Sequence, residues 1–276
     1  MANELFSLLQ NNIDELRFRA IRILIVFFAF FVVFFTFRVD IIVIFGKRIP
    51  MIYPDPYSNV GGQFLELVEK HVLPKNMELI AVKPTDSMIS DLYSVMFLSL
   101  VFSMPYIVNQ IGKFIAPGLK KREIETIRFI GIPAALLFAA GAGFGFWYIF
   151  PLLFRIFFYF NSSVGAADTM SVSSFTSFFF IYIASFGLSF ELPIIMIGLT
   201  KLHLVSSEFW MRNWRYAVVG SLIFGLIFSP GVVGVSMMIM AIPMMLLYIL
   251  GAYISRRIEK NEDTSENERQ TADEQS

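Results

Sequence analysis

Hydrophobic residues in this chain occur in long runs, without the regular polar positions of soluble helices or strands. Six runs have about the length needed to cross roughly 30 Å of hydrocarbon as helices. No run shows the alternating polar face of a membrane β-barrel strand, so each is predicted to be a helix. The expected fold class is all-α, a polytopic membrane protein with six transmembrane helices. The six runs lie near residues 21–38, 88–110, 127–150, 175–200, 214–229 and 235–254.

Prolines occur inside four of the six runs, at Pro105, Pro133, Pro193 and Pro243. Each proline removes a backbone hydrogen bond and can bend its helix. One such bend can be inconsequential, but bends in four spans predict a concave bundle.

The fifth run is short, because Trp214 to Phe228 provides about 22 Å of helix at 1.5 Å per residue. This length predicts local membrane thinning or cover by a partner protein. The alternative is that the span starts earlier and Arg215 extends to the interface.

Basic residues concentrate in the connections at one side of the predicted bundle, which the positive-inside tendency assigns to the cytoplasm. Both termini are therefore expected in the cytoplasm of a cell that carries the protein in its plasma membrane. On the other side, the 39–87 loop has five Lys or Arg but is long enough to weaken its contribution, and a later loop has Arg155. The basic residues on the predicted inner side are Arg17, Arg19, Arg22, Lys113, Lys120, Lys121, Arg122, Arg128, Lys201, Arg212, Arg215, Arg256, Arg257 and Lys260.

The external loop of about residues 39–87 is expected to be folded. Its segment "YPDPYSNVGG" is typical of turns, and "QFLELVEKHV" predicts a short amphipathic helix. The apolar side of that helix is predicted to carry Phe64, Leu67, Val68 and Val72. His71 is interpreted as an interfacial residue and not as a metal ligand, because the other histidine is expected across the membrane.

Residues 1–255 are predicted to form one membrane domain, with a disordered cytoplasmic tail at 256–276. The tail is polar, mixed in charge and nearly free of apolar residues. At the other end, the apolar run 23–37 follows arginines as in a signal peptide. It has no small-residue cleavage site, and similar runs follow it, so it is interpreted as a first transmembrane helix.

The composition agrees with a lipid-solvated protein. Hydrophobic residues make up 56% of the 276 positions, 32 of them are phenylalanine, and only 16% are charged. A net charge of zero argues against a nucleic-acid partner. Cysteine is absent, which excludes disulfides and thiolate chemistry.

Sequence motifs give little support for an enzyme. There is no nucleotide-binding P-loop, no G-x-S-x-G and no cluster of metal-ligand residues, so neither a cofactor nor a metal is expected. The Gly141-x-x-x-Gly145 pair predicts close helix packing within the bundle, with a dimer contact as the less favoured alternative.

Three carboxylates invite a functional explanation. Glu15 and Glu123 lie among basic residues on the predicted inner side, and the ordinary explanations are an i,i+4 pair with Arg19 and a solvated balance of neighbouring charge. Glu191 lies within the fourth run, where an ionised side chain costs about 2.5–3.5 kcal/mol and usually faces the bundle interior or a wet cavity. A neighbouring hydroxyl could also satisfy it.

Four segments, "IDELRFR", "FIAPGLKKRE", "GLSFELP" and "SPG", resemble the TatC family in order, spacing and predicted topology, over about residues 12 to 255. The resemblance implies a receptor for twin-arginine signal peptides. With single-span partners of the TatA and TatB type, in a homo- or hetero-oligomer in the lipid bilayer, it would export folded proteins using the proton-motive force. It implies signal-peptide binding by Glu15 and Glu123. It also implies that further positions of the same two motifs shape and line the signal-peptide binding surface: Arg17, Arg19, Phe114, Pro117, Gly118, Leu119 and Lys121.

The resemblance also matches Glu191 to a membrane-embedded glutamate that contacts a signal peptide or a partner helix. The chain departs from the family pattern at Asn12, at Gly112, where an aromatic residue is common, and at Val232, where many members have aspartate. The alternative functions are a proton-coupled secondary transporter of a small solute, using Glu191, and a scaffold without transport activity. The absence of paired half-repeats argues against the transporter.

Overall fold

Helices cover the six predicted spans within the described residues, except that Phe37 and Arg38, at the end of the first span, lie in a strand. The structure is a computed structural model that describes residues 2–44, 47–73, 77–115, 121–163, 169–228 and 234–274. Five helical segments are long and apolar enough to cross a membrane, and the segment after Asn213 is a shorter apolar helix. The prediction of a helical membrane protein is therefore confirmed, while the count of six spans stays a prediction. The helices that correspond to the runs are α1 (Ala2–Thr36), α3 (Asp86–Ile115), α4 (Lys121–Phe144), beyond which the third run continues as helix to residue 150, α6 (Val172–Lys201), α8 (Trp214–Phe228) and α9 (Gly234–Glu274).

Three shorter helices and four strands complete the described elements. The helices are α2 (Val60–Val72), α5 (Phe150–Ser163) and α7 (Ser207–Arg212). Strands β1 (Phe37–Ile44) and β2 (Lys47–Pro54) form an antiparallel ribbon directly after α1, in which Phe37 pairs with Pro54. Strands β3 (Glu78–Ile80) and β4 (Thr169–Ser171) pair in parallel.

The helix α2 lies at the predicted place but is rotated from the predicted face. Its N-terminus is capped by Asn59, whose Oδ1 accepts a hydrogen bond of 2.9 Å from the Gly62 amide. Leu65, Val68 and Val72 are buried, whereas Leu67, predicted on the apolar side, is 56% exposed. The helix packs on α3.

The segment 256–274, predicted to be a disordered tail, continues α9 as helix to Glu274. Starting a helix is the unfavourable step, and here the apolar first half of α9 is already helical, so the segment only has to extend it. Arg, Glu and Lys in the continuation are good helix formers. The structure therefore differs from the sequence prediction in this segment.

The most buried span is α6. Of its most apolar 18-residue stretch 56% is buried inside the structure, against 0% for the corresponding stretch of α1. It packs against α3, α4 and α9, while α1 packs on α3 and α8 packs on α9. The spans therefore form a layer in which α6 is central and α1 and α8 lie at the two edges.

Glycines allow α4 and α6 to approach closely. A Cβ atom built on Gly141 would lie 2.6 Å from the Phe190 ring and 2.8 Å from the Phe186 backbone oxygen. One built on Gly145 would lie 3.1 Å from Ile183. The Gly141-x-x-x-Gly145 pair thus contacts α6 of the same chain, which confirms the prediction of packing within the bundle.

A π-helical turn, Gly145–Ile149, joins α4 to α5, and the Phe150 amide donates to the Gly145 carbonyl. Pro151 follows at once. A proline has no amide proton and its ring collides with the carbonyl four residues earlier, so the widened turn accommodates it. Phe150 then packs edge-to-face on Phe179 of α6, with ring centroids 4.8 Å apart, within a core rich in buried aromatic rings.

Candidate functional site

The directions of the spans bring Glu15, Arg17 and Arg19, together with most of the basic side chains that the structure describes, to the same end of the bundle. Here α1 begins its apolar part, α3 and α6 end, and α8 begins. We call this the basic end; it includes Arg17, Arg19, Lys201 and Arg215, and the end at Asp86 is the opposite end. Charge at one end is what helps to orient a membrane protein during insertion.

Glu15 and Arg19 form an ion pair one turn apart on α1. The Arg19 Nε and Nη2 atoms both donate to the same oxygen, Glu15 Oε1, and the Nε contact is 3.0 Å. Within the described part of the chain the second oxygen, Oε2, has no donor. The Glu15 side chain is 33% exposed, so this oxygen belongs to a carboxylate that remains accessible.

Arg19 also connects α1 to α3. Its Nη1 atom donates to Gln110 Oε1 at 3.3 Å, and Gln110 is 4% exposed. The guanidinium is therefore shared between a carboxylate on its own helix and a buried amide on the neighbouring helix. Sequence reasoning missed Gln110, whose signal was the adjacent amide pair Asn109 and Gln110 at the end of an apolar run, just before Phe114.

The other arginines of α1 are placed differently. Arg17 is exposed, and the Arg22 guanidinium lies over the Phe18 ring with its carbon 4.1 Å from the centroid. Such a cation–π contact holds the charge against an apolar side chain. Of the three predicted positions on α1, the structure thus brings Glu15 and Arg19 together and leaves Arg17 at the surface.

The second predicted segment follows Gln110 on α3. Because α1 packs on α3 and Arg19 contacts Gln110, Glu15 lies near the end of α3 from which this segment extends. The side chains of Phe114, Lys121 and Glu123 lie outside those that the structure describes, as do the residues Pro117, Gly118 and Leu119. Their part in the site stays a prediction, and Val232 also lies outside the described residues.

Glu191 is buried on α6, the central helix, with 6% exposure. Among the residues that the structure describes, its Oε1 atom has no hydrogen-bond partner. The nearby hydroxyls of Ser185 and Ser189 donate instead to backbone carbonyls of Ile181 and Ser185. This oxygen is therefore not satisfied by those serines, which was the ordinary explanation considered from the sequence, and it is a buried acceptor that calls for an explanation.

No set of three potential metal ligands occurs among the described residues. His71 stacks on Phe146 with ring centroids 4.8 Å apart, as an interfacial aromatic residue would. A helical membrane protein with a carboxylate–guanidinium site at its basic end, and a buried carboxylate in its central helix, has the composition of a recognition or transport protein.

The family is shown by sequence comparison. The family model described as "Sec-independent protein translocase protein (TatC)" matches residues 11–243. The chain belongs to the TatC family, as its motifs predicted. It is accordingly a subunit of the twin-arginine protein translocase, a membrane transport component.

Individual relatives are similar over most of the chain. A TatC protein of Cenarchaeum symbiosum is 31% identical over 254 residues, covering 92% of this chain and 96% of its own length. The TatC protein of Escherichia coli K12 is 30% identical, covering 67% and 70% of the two chains. A crystal structure titled "Twin Arginine Translocase Receptor- TatC" superposes with a TM-score of 0.72 at 24% identity, covering 89% of this chain and 98% of that one, which supports the fold.

Proposed function

We propose that this chain is the receptor for signal peptides carrying an arginine pair, and the core membrane subunit that exports their folded cargo using the proton-motive force. The observation that carries the proposal is the Glu15 carboxylate, which already binds one guanidinium through Oε1 and keeps Oε2 without a donor among the described residues. The site therefore has the chemistry to bind a second guanidinium.

Arginine suits this carboxylate better than lysine does. A guanidinium presents parallel N–H groups in a rigid plane, whereas an ammonium is a compact point charge on a flexible stem. Arg19 is part of the binding site and does not take the place of a signal-peptide arginine. It is held by Gln110 as well as by Glu15, and it thereby fixes the orientation of the Glu15 carboxylate. We assign the second arginine of the pair to Glu123, with Arg17, Phe114, Pro117, Gly118, Leu119 and Lys121 forming the surrounding surface.

The proposed topology has six spans, with both termini in the cytoplasm and the chain in the plasma membrane. The charge at the basic end supports this orientation, because Arg17, Lys201, Arg215 and Arg256 all lie there. In this topology the α8 helix is the fifth span and is shorter than the bilayer, so a partner or a thinned membrane covers its ends.

We propose that single-span proteins of the TatA and TatB type, in a hetero-oligomer, bind the membrane-embedded part of the bundle. Glu191 supports this because a buried oxygen without a partner is costly unless another group reaches it. A polar side chain or backbone group of a partner helix, or of a bound signal peptide, would satisfy it.

The receptor proposal is tested with a photocrosslinking probe placed at Leu16, which is exposed beside Glu15. A signal peptide carrying Arg-Arg is expected to label the protein far more strongly than the same peptide carrying Lys-Lys. Glu15→Gln should reduce labelling roughly tenfold or more, since hydrogen bonds to charged groups contribute about 1.5–3 kcal/mol.

The matched control is Asp14→Asn, which removes the same charge at the adjacent exposed position and should leave labelling nearly unchanged. Equal labelling by the two peptides, or equal loss in the two variants, would refute recognition by Glu15. No observation favours the small-solute transporter, so it is not pursued as a second function.

A further inference from the structure

An open cavity of about 910 Å³ lies at the basic end, where α7 is followed by α8. The Arg212 and Arg215 side chains line it together with Asn213 and Tyr216, and Glu208 is the acid among its described lining residues. Both arginines are exposed, and neither forms an ion pair with another residue in the described part of the chain. Two arginines against one glutamate give the cavity a net positive charge.

The cavity has a rigid wall, because α7 is hydrogen-bonded to two spans. The Trp210 Nε1 atom donates to Thr200 Oγ1 of α6 at 3.0 Å, and the Tyr248 hydroxyl of α9 donates to the Trp210 carbonyl at 2.8 Å. The Ser207 amide donates to Glu259 of α9 at 2.7 Å. None of these bonds involves an arginine, so the wall does not depend on the charges of the cavity.

Exposed apolar residues place the cavity at the membrane interface. Phe209, Trp214 and Tyr216, which line it, are each about half exposed or more. Aromatic rings next to arginine at the start of an apolar helix are typical of the level of the lipid headgroups. The cavity therefore opens where headgroups are found.

An apolar strip leads from the cavity along α8. Val219 lines the cavity, and Ile223 and Ile227 follow it at intervals of four residues, so the three share one helix face. All three are more than half exposed, and α8 has no charged residue after Arg215. The site thus combines a cationic cavity with a surface suited to a hydrocarbon chain.

We propose that this elbow between α7 and α8 binds an anionic phospholipid. Its phosphate contacts Arg212 and Arg215, with Asn213 and Tyr216 as further donors, and one acyl chain lies along Val219, Ile223 and Ile227. Guanidinium groups match the geometry of phosphate oxygens. The apolar strip selects a lipid over a soluble phosphate, and the inference does not depend on the signal-peptide proposal.

Native mass spectrometry of the full-length protein, exchanged into detergent with either phosphatidylglycerol or phosphatidylcholine, tests the site. Phosphatidylglycerol is expected to remain bound to the native protein, whereas phosphatidylcholine is lost. Arg212→Gln with Arg215→Gln should weaken phosphatidylglycerol binding about 30-fold, since each basic residue near an anionic headgroup contributes about fivefold in affinity.

The matched control is Arg256→Gln with Arg257→Gln, which removes two exposed charges from the basic end outside the cavity. It should keep phosphatidylglycerol binding within about twofold of the native protein. Equal loss in both double variants would show attraction by total charge only and overturn the proposal. Equal retention of phosphatidylcholine, or displacement of the lipid by a comparable concentration of glycerol phosphate, would overturn it as well.

Discussion

Arg19 of α1 donates a hydrogen bond to Gln110 of α3, 91 residues away in the sequence, while its other nitrogens hold Glu15. One guanidinium thereby joins the edge helix of the layer to its neighbour. It also sets the orientation of the carboxylate on which the proposed signal-peptide site depends. Stability and recognition are consequently linked through this one side chain.

Arg19→Gln is expected to lower the unfolding free energy by about 1–2 kcal/mol, because it leaves the buried Gln110 amide without its charged donor and Glu15 without its partner. A denaturant titration in detergent micelles measures the change. Arg17→Gln is the matched control, since Arg17 is exposed, and its effect should stay within about 0.5 kcal/mol. A larger loss in the Arg17 variant than in the Arg19 variant would contradict this.

Gly141→Ala should destabilise the contact between α4 and α6 by about 1–3 kcal/mol, the usual cost of overpacking. The added methyl group would lie 2.8 Å from a backbone oxygen of Phe186, which cannot turn aside as a side chain can. Gly198→Ala, in α6, meets nothing within 4 Å and should be neutral or stabilising, since alanine favours helix. Thermal unfolding of the two variants in one detergent compares them directly.

Asp86→Asn is predicted to destabilise the opposite end of the bundle by about 1–3 kcal/mol. The Asp86 carboxylate accepts hydrogen bonds from the amides of Val82 and Lys83 and from the hydroxyls of Ser171 and Ser173, so it ties α3 to the start of α6. An asparagine would place an amino group against some of these donors. Hydrogen exchange of the Val82 and Lys83 amides should accelerate.

Asp91→Asn, on the same helix, is the informative contrast. Asp91 Oδ2 accepts from the Asn59 side chain, and its other oxygen is buried with no partner among the described side chains and backbone groups. An asparagine can keep that one bond and removes a charge that burial disfavours. Its unfolding free energy should be unchanged or raised, so a loss as large as that of Asp86→Asn would contradict the explanation of both sites.

Glu69→Gln should stabilise α2 at neutral pH but not in acid. Burial, and then the nearby Glu66, raise the pKa of Glu69, so folding disfavours its ionised form. That disadvantage appears as the pH rises through the carboxyl range and is absent below it. Unfolding measured at pH 4 and pH 7.5 should therefore show a benefit of the substitution only at the higher pH.

Glu66→Gln is expected to change stability in the opposite direction on the same helix. The hydrogen bond and charge of Lys70 lower the pKa of the exposed Glu66, so its ionised form gives a small stabilisation above the carboxyl range. Removing it should slightly reduce stability at pH 7.5 and have no effect in acid. The same sign for both variants would rule out this electrostatic account.

Glu191→Gln is expected to retain binding of an Arg-Arg peptide but to impair assembly with single-span partners, or export. The substitution keeps the shape of a side chain whose Oε1 has no partner in the described part of the chain, but it replaces one carboxylate oxygen by an amino group. Peptide crosslinking and copurification of the partners measure the two functions separately. Loss of peptide binding together with normal partner assembly would contradict the proposal that Glu191 serves assembly or export.

The sequence predicted the spans well because an apolar run of membrane length is a local property that lipid turns into helix. The β1–β2 ribbon was missed because its first strand continues the apolar run of α1, and only pairing of Phe37 with Pro54 distinguishes strand from helix. The buried side of α2 was shifted, with Leu65 inward and Leu67 outward, since the neighbouring α3 decides which side is covered.

For the candidate site, the sequence by itself determined the helical membrane class, the family, and the choice of Glu15, Glu123 and Glu191 as carboxylates needing an explanation. These follow from composition, run length and short motifs. Only the tertiary structure decided that Arg19 is shared between Glu15 and Gln110 and that Glu191 Oε1 lacks a partner. The reason is physical: hydrogen bonding and burial depend on which distant segments pack together, and no local pattern encodes that.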